Sequence, residues 1–353
     1  MTSIQFAIPG DLDTPTGGYS YDRRILSELG ALGHEVTHLP LPGGFPFPSE
    51  DGIANTLALL ADVPADDIVI CDGLAWSALP RKGLARIAAR RIALVHHPLG
   101  LETGLTAEQS QGMMETERAA LAEADHVVVT SPTTARTLTR QFDIAVDRIT
   151  VAEPGTDRVP RVPVRDRAPH IVSIASITPR KGHDILVDAL DRCRDLDWQV
   201  TIAGPSDHDP DCAAALAQQI ERLGLGARIT LTGAIDAPTR DFLMQDTDVF
   251  VLASRYEGYG MVVAEALVHG LPIIVTDAGA VRDVVGTAQN LVPVGDAVSF
   301  AKALTPLITS AEARHAAAEH SWRRAAHLPT WTDSARRISD AVERLVRSWE
   351  TVS

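Results

Sequence analysis

A chain of 353 residues with 45% hydrophobic content is long enough for two core-forming domains and too apolar to stay disordered. Its formal charge of −14 and pI of about 5.3 argue against nucleic acid as a partner, which would need a basic face. Three scattered cysteines, Cys71, Cys193 and Cys212, read as the reduced thiols of a cytoplasmic protein rather than as a disulfide frame or a zinc site. The opening "MTSIQFAIPG" lacks the basic region and long apolar run of a signal peptide, and no uncharged stretch is long enough to span a bilayer.

Short β-branched runs alternate with helix-length segments along the whole chain. "SIQFAI", "DDIVIC", "RIALVHH", "DHVVVT" and "DRITVAE" are the predicted strands of a first half. "HIVSIAS", "WQVTIAG", "RITLTG", "DVFVLAS" and "LPIIVTD" are those of a second. Apolar runs separated by helices point to parallel strands buried on both faces. The proline-rich "PGTDRVPRVPVRDRAPH" between the halves has no apolar period and reads as a linker, with the boundary near residues 156–168. The tail after Pro329 spaces Ile338, Val342 and Val346 as a helix does. The reading is therefore residues 1–160 as a first Rossmann-like domain, 168–328 as a second, and 329–353 as a C-terminal helix.

Ligands collect at the carboxyl ends of parallel strands, so residues just past each strand carry the chemistry. Gly17 and Gly18 follow the first strand and precede a helix expected from about Tyr19, where backbone amides can approach an anion or a sugar. A flexible turn is the plainer alternative. The spacing is not the dinucleotide fingerprint. His96 and His97 end a strand, where they can hydrogen-bond a substrate or move a proton. Arg180 and Lys181 precede Gly182 and a helix, a combination suited to a phosphate or diphosphate but also found in solvated basic turns. No metal site is expected. "DHDPD" at 207–211 reads as an acidic loop capping the next helix, and the Asp-x-Asp pairs fall in no convincing metal loop.

In "SRYEGYGMVVAEALVHG", Glu257 lies in a glycine turn and Glu265 in a small-residue helix from about Met261. Gly258 and Gly260 leave bare amides at the start of that helix, able to receive phosphate oxygens, and the amides from Gly258 through Tyr259 and Gly260 to Met261 are those that the resemblance given below implies for sugar and phosphate. Glu257 then reaches uncharged ligand hydroxyls or a neighbouring cation. Glu265 needs a partner in its apolar surroundings, either a vicinal diol such as ribose or a core salt bridge.

These residues resemble the retaining nucleotide-sugar glycosyltransferases of family 4, which have the GT-B fold. The resemblance rests on the E-x7-E run together with Gly17-Gly18, His96, "TPRKGHDILVDAL", "IAGPSD", "LTGAID" and "HGLPIIVTDAGAVRDVV", in that family's order over almost the whole chain. It implies an α/β, GT-B architecture: two Rossmann-like parallel-sheet domains facing a cleft, acceptor on the first and nucleotide sugar on the second. The terminal helix would cross back to the first domain. It further implies that Gly18 lies near the donor diphosphate, that His96 touches the donor sugar and that Lys181 holds the diphosphate. Glu257 would bind sugar hydroxyls and Glu265 the ribose diol, with the base near Gly204, Leu231 and Thr232. The donor would be a UDP- or GDP-sugar, with no metal or other cofactor. Many relatives carry an arginine five or six residues before the lysine. Here those positions are Ala175 and Ser176, and Arg180 is the candidate replacement.

The resemblance thus implies a metal-independent retaining glycosyltransferase. A nucleotide-sugar epimerase and a non-catalytic sugar-nucleotide-binding protein remain as alternatives. "LPGGFPFPSED" and "HPLGLETGLTAEQS" are expected to shape the acceptor pocket. In "LPRKGLARIAARR", Lys82, Arg86 and Arg90 have the spacing of one basic helix face. It lacks an aromatic anchor, so a small soluble acceptor is preferred over a membrane lipid.

Overall fold

The computed structural model describes residues 2–102, 104–286 and 291–350, with side chains as far as 347. Thr103, in a predicted acceptor loop, and the last three residues of the terminal segment lie outside these. The chain divides into two compact units, Met1–Gly155 with Pro329–Ser353, and Thr156–Leu328.

The first unit holds β1 (Ser3–Pro9), β2 (Glu35–Leu41), β3 (Ile68–Asp72), β4 (Arg90–Val95), β5 (His126–Val129) and β6 (Ile149–Val151), all parallel, in the order β2-β1-β3-β4-β5-β6. β3 is buried at every position, as expected for a central strand covered by helices on both faces. β2 was absent from the predicted strands. It is an edge strand, "EVTHLPL", only one of whose residues is buried, so no apolar run announces it. The β1–β3 step reverses the strand order, which is where open α/β sheets take ligands. The helix after β1, Gly17–Ala31, starts two residues before the expected Tyr19, because Thr16 serves as its N-cap and accepts from the Tyr19 amide.

The second unit holds β7 (His170–Ile174), β8 (Gln199–Ala203), β9 (Ile229–Leu231), β10 (Val249–Leu252), β11 (Ile273–Thr276) and β12 (Leu291–Val292), again parallel, in the order β12-β11-β10-β7-β8-β9. Its order reverses between β7 and β10. The proline-rich stretch is strapped to this unit rather than loose. The Val162 amide bonds His269 O at 2.8 Å, and Arg165 and Arg167 both grip the buried Asp248 carboxylate. A linker composition here conceals a fixed strap whose amides and cations find partners. Asp209, from the "DHDPD" loop, caps the Pro210–Arg222 helix by accepting from the Cys212 amide.

The terminal helix, Trp331–Glu350, packs on the first unit. Ser339 Oγ lies 2.7 Å from His34 Nε2, and Thr332 Oγ1 donates to Glu28 at 2.9 Å. Trp331 sits beside Tyr21, with ring centroids 5.9 Å apart. The basic stripe does not exist as a helix face. The helix there is only Arg81–Leu84, and Arg90 already begins β4. Lys82 and Arg86 are exposed on a short turn, so three cations never align.

Candidate functional site

In the second unit the strand reversal places two loops side by side. After β7 the chain forms a tight turn, Pro179–Lys181, then Gly182 and the helix His183–Arg192. Gly182 has φ +64°, and a Cβ there would stand 2.1 Å from Ala253 O, so a glycine is what lets this turn press against the end of β10. The Arg255 amide donates to Arg180 O at 2.7 Å. The Arg255 guanidinium clasps both oxygens of Asp184, at 3.0 and 2.7 Å. That fork ties the β10 loop to the helix after Lys181. Sequence reasoning passed over Arg255, although it stands inside the quoted motif.

These ties bring Lys181, Arg180 and Glu257 together. Lys181 Nζ donates to Glu257 Oε1 at 2.6 Å, and Ser254 Oγ, fully buried, donates to the same oxygen at 2.6 Å. Arg180 Nη1 lies 3.7 Å from Glu257 Oε2 and donates to Tyr256 O. Burial raises the Glu257 carboxyl, but Lys181, then Arg180, outweigh it and hold the group below the usual carboxylate range. Of the two partners foreseen for Glu257, the neighbouring cation is the one present. Gly260, with φ +99°, opens the Met261–Val268 helix immediately beyond, and Tyr259 is buried at that turn.

Glu265 stands in that helix with its side chain partly exposed, and Arg240 Nη1 lies 3.4 Å from Oε1. The core salt bridge considered from the sequence is thus a partly exposed pair with Arg240, a residue no motif had marked. Burial raises the Glu265 carboxyl; Arg240 opposes that, while Asp241 and Asp157 add to it. The adjacent ends of β8 and β9 bring Gly204, Leu231 and Thr232 together. The Gly204 amide donates to Gly233 O and the Thr232 amide to Ile202 O. A Cβ at Gly204 would lie 2.0 Å from Ala175 O, so the strand end carrying the arginine-less position passes hard against this loop. Ser176 O meets the buried His183 Nε2 at 3.2 Å, and burial pushes that imidazole down to about 4, hence neutral.

In the first unit, Gly18 and His96 are neighbours. A Cβ on Gly18 would be 3.6 Å from the His96 ring. The two histidines diverge: His96 Nε2 lies 3.2 Å from Asp22 Oδ1, whereas His97 Nε2 lies 2.8 Å from Glu102 Oε2. Asp72 ends β3, caps the following turn by accepting from the Leu74 amide at 2.7 Å, and completes a cluster with Asp22 and His96. One ligand atom of each lies within 4.8 Å of the others, a grouping with metal-ligand chemistry at a place where none was expected. Burial and then Asp22 push the Asp72 carboxyl up to about 8. For His96 burial works downward, but Asp22 and then Asp72 prevail and raise it to about 9. Neither aspartate was singled out from the sequence, since Asp22 sits mid-helix with no motif around it.

Residues 158–324 match the family model described as glycosyl transferases group 1, which lies within the second unit. The curated D-inositol 3-phosphate glycosyltransferase of Xylanimonas cellulosilytica is 26% identical over 66% of this chain. The chain spans 60% of that relative's length. Among solved structures, the sucrose-phosphate synthase of Thermosynechococcus elongatus superposes with a TM-score of 0.82 at 19% identity, covering 98% of this chain and 99% of that one. Anabaena HepE, solved with UDP and glucose, gives 0.77 at 18% identity, over 98% and 100%. The fold is therefore GT-B, with two Rossmann-like parallel-sheet domains and a terminal helix packed on the N-terminal one.

Proposed function

We propose that this protein is a glycosyltransferase that moves a sugar from a nucleotide diphosphate donor to a small soluble acceptor, with retention at the anomeric carbon and without a metal. The observation that carries the reading is the Lys181–Glu257–Ser254 constellation at the β7/β10 reversal, beside the N-terminus of the Met261–Val268 helix. It supplies a fixed cation, helix amides and a charged acceptor group at the point where such sheets take ligands. The matched family region and the inositol-phosphate glycosyltransferase relative support the same reaction class.

Each residue then has a task. Lys181, Arg180 and the amides from Gly258 to Met261 receive the diphosphate, whose negative charge grows as the glycosidic bond breaks. An ammonium has three donors, and the bond to Glu257 fixes its direction. Glu257 also accepts from the sugar hydroxyls. Glu265 accepts from the ribose diol, with Arg240 holding the carboxylate in place. Gly204, Leu231 and Thr232 border the base of a UDP- or GDP-sugar. Gly17, Gly18 and His96 serve the diphosphate and sugar from the first unit, which also takes the acceptor. The acceptor oxygen bonds to the anomeric carbon on the face from which the phosphate departs, and the leaving phosphate oxygen takes the acceptor proton.

The protein works in the cytoplasm on this reading, and no helix among the described residues is long and apolar enough to cross a membrane. A thermal-shift screen of nucleotide sugars, followed by product mass with a metabolite pool, tests it. A donor-dependent mass gain of one sugar on an acceptor is expected. A donor altered with no acceptor present would point to an epimerase, and binding without any product to a non-catalytic module.

A further inference from the structure

The two loops that meet at the second unit's strand reversal are laced together by a pair of arginines, each loop sending one onto the other's backbone. Arg180, in the Pro179–Lys181 turn, donates through Nη1 to Tyr256 O at 3.3 Å. Arg255, in the loop after β10, donates through Nη1 to Pro179 O, and its own amide donates to Arg180 O at 2.7 Å. The Arg255 guanidinium also forks the Asp184 carboxylate, Nη1 to Oδ1 at 3.0 Å and Nη2 to Oδ2 at 2.7 Å. Asp184 stands in the first turn of the His183–Arg192 helix, where a negative charge is favoured.

These contacts bracket Lys181. Arg255 holds the carbonyls of the two residues before it and, three positions after it, the Asp184 side chain. A lysine ammonium ends a flexible four-carbon stem, so the place it reaches depends on where its backbone is held. Glu257, which takes that ammonium at 2.6 Å, lies two residues beyond Arg255 in the same loop. Ala175 and Ser176 bring no cation to the site, so the placement of this turn carries more weight. Resting on the glycosyltransferase reading, we propose that Arg255 is a positioning residue, a clasp on the Pro179–Lys181 turn that fixes where Lys181 meets the donor diphosphate before the donor arrives.

The clasp calls for an arginine. A guanidinium is a planar fork with five N–H donors, so it can take both oxygens of a carboxylate and still reach a carbonyl. An ammonium in its place is a point charge that makes no fork. Burial raises the Asp184 carboxyl, but Arg255 outweighs it and holds the group below the usual carboxylate range, so the pair is charged at neutral pH. The two side chains are 35% and 52% exposed, and an ion pair so open adds little to stability. The contribution of the clasp is therefore to the position of the turn more than to the stability of the fold.

Arg255→Ala and Arg255→Lys in the full-length protein test the clasp. Both keep the backbone bond to Arg180 O, and both should fold, with Tm within about 4 °C of the wild type. In the ligand-free protein, exchange at the bonded amides of Lys181, Gly182 and Ile185 should quicken about tenfold in Arg255→Ala while the β7 and β8 amides hold. Unchanged exchange there would overturn the proposal, and reading it needs no substrate. With a nucleotide-sugar donor, Arg255→Ala should lower kcat about 10–100-fold, and Arg255→Lys should recover little of that. In a Lys181→Ala background the same change should cost less than about twofold, because a residue that acts through Lys181 has nothing left to place. Equal losses in the two backgrounds would mark Arg255 as acting apart from Lys181 and sink the proposal, as would full recovery in Arg255→Lys. A large fall in Tm with kcat unchanged would reduce the clasp to architecture and overturn its role toward the donor. Failure to find turnover with any donor, alongside the expected exchange, would instead defeat the glycosyltransferase reading and the donor half of the proposal, while leaving the clasp itself standing.

Discussion

Two buried carboxylate clusters stand at the strand reversals of the two units, and they balance charge in opposite ways. In the second unit, Glu257 faces two cations and a hydroxyl, and its carboxyl is held below the usual range. In the first, Asp22 and Asp72 share one histidine, and the shortage appears as a proton retained on Asp72 to about pH 8 and on His96 to about 9. Both sites lie at the same place in the same kind of sheet. Burial raises both acids, and the cations beside Glu257 outweigh it where the neighbours of Asp72 do not.

The sharpest way to break this comparison is to remove a cation from the well-balanced side. On the proposed reading, in which Lys181 donates to the developing phosphate charge, Lys181→Ala should lower kcat by about 10²–10³-fold. It should also cost roughly 3–5 kcal/mol of stability, because the buried Glu257 loses its nearer cation. Steady-state kinetics and urea denaturation read the two effects separately. Unchanged kcat with the stability loss intact would leave the pair purely architectural. Arg180→Ala should be damaging but milder, as its guanidinium stands 3.7 Å from Glu257 rather than in bonding contact. Near-normal kinetics there would show that nothing replaces the arginine missing at Ala175 and Ser176.

On the proposed reading, in which Glu265 contacts the ribose before and during reaction alike, Glu265→Ala should weaken donor binding about tenfold with little change in kcat. Its pair with Arg240 is partly exposed, so stability should shift by no more than about 1 kcal/mol. Calorimetric titration with the nucleotide sugar checks the affinity. An unchanged affinity with a large stability loss would restore the core salt-bridge reading.

The two clusters should also part company with pH. His96 is raised above its ordinary value, so its contribution is fully present below about pH 6.5 and is lost as pH rises through about 9. Asp72 is raised too, and an unfolded chain would ionise it, so folding of the first unit is further penalised as pH climbs from about 4 to about 8. Glu257 is depressed, so its contribution is present above the ordinary glutamate value and is lost only as pH falls below it. Amide exchange at pH 6 and pH 9 should therefore show protection falling around β3 and β4 while the β7 and β10 loops hold. Equal loss in both units would contradict the difference. The smallest expected effect is that of EDTA, which should leave activity intact. Abolition by the chelator, with recovery on adding a divalent cation, would instead give the Asp22–Asp72–His96 cluster a metal.

What the sequence made legible follows from which residues carry local signals. The apolar runs of β3, β5, β10 and β11 announced two parallel sheets, and Pro329 with the spacing of Ile338 and Val342 announced the terminal helix. β2 escaped because an edge strand needs no apolar run, and the basic stripe failed because a helix that stops at Leu84 has no third turn. In the second unit, glycines and charges clustered in two short motifs exposed the Arg180-Lys181 turn in one and Glu257 and Glu265 in the other. Arg240 and Arg255 stayed hidden, since a partner from another element leaves no local spacing, whereas Ser254 lies only three residues before the Glu257 it bonds. Asp22 is the extreme case: a polar residue on the buried face of a helix, 74 positions from the histidine it meets.

Retention or inversion is written in the linkage made from a nucleotide-sugar donor of known α configuration. NMR of the purified product, read at the anomeric proton and its coupling to the anomeric carbon, tests it most directly. An α-linked product, with the released nucleoside diphosphate in equal amount, is the expected result. A β-linked product would contradict the retaining geometry assigned to Lys181, Glu257 and the helix that begins at Met261.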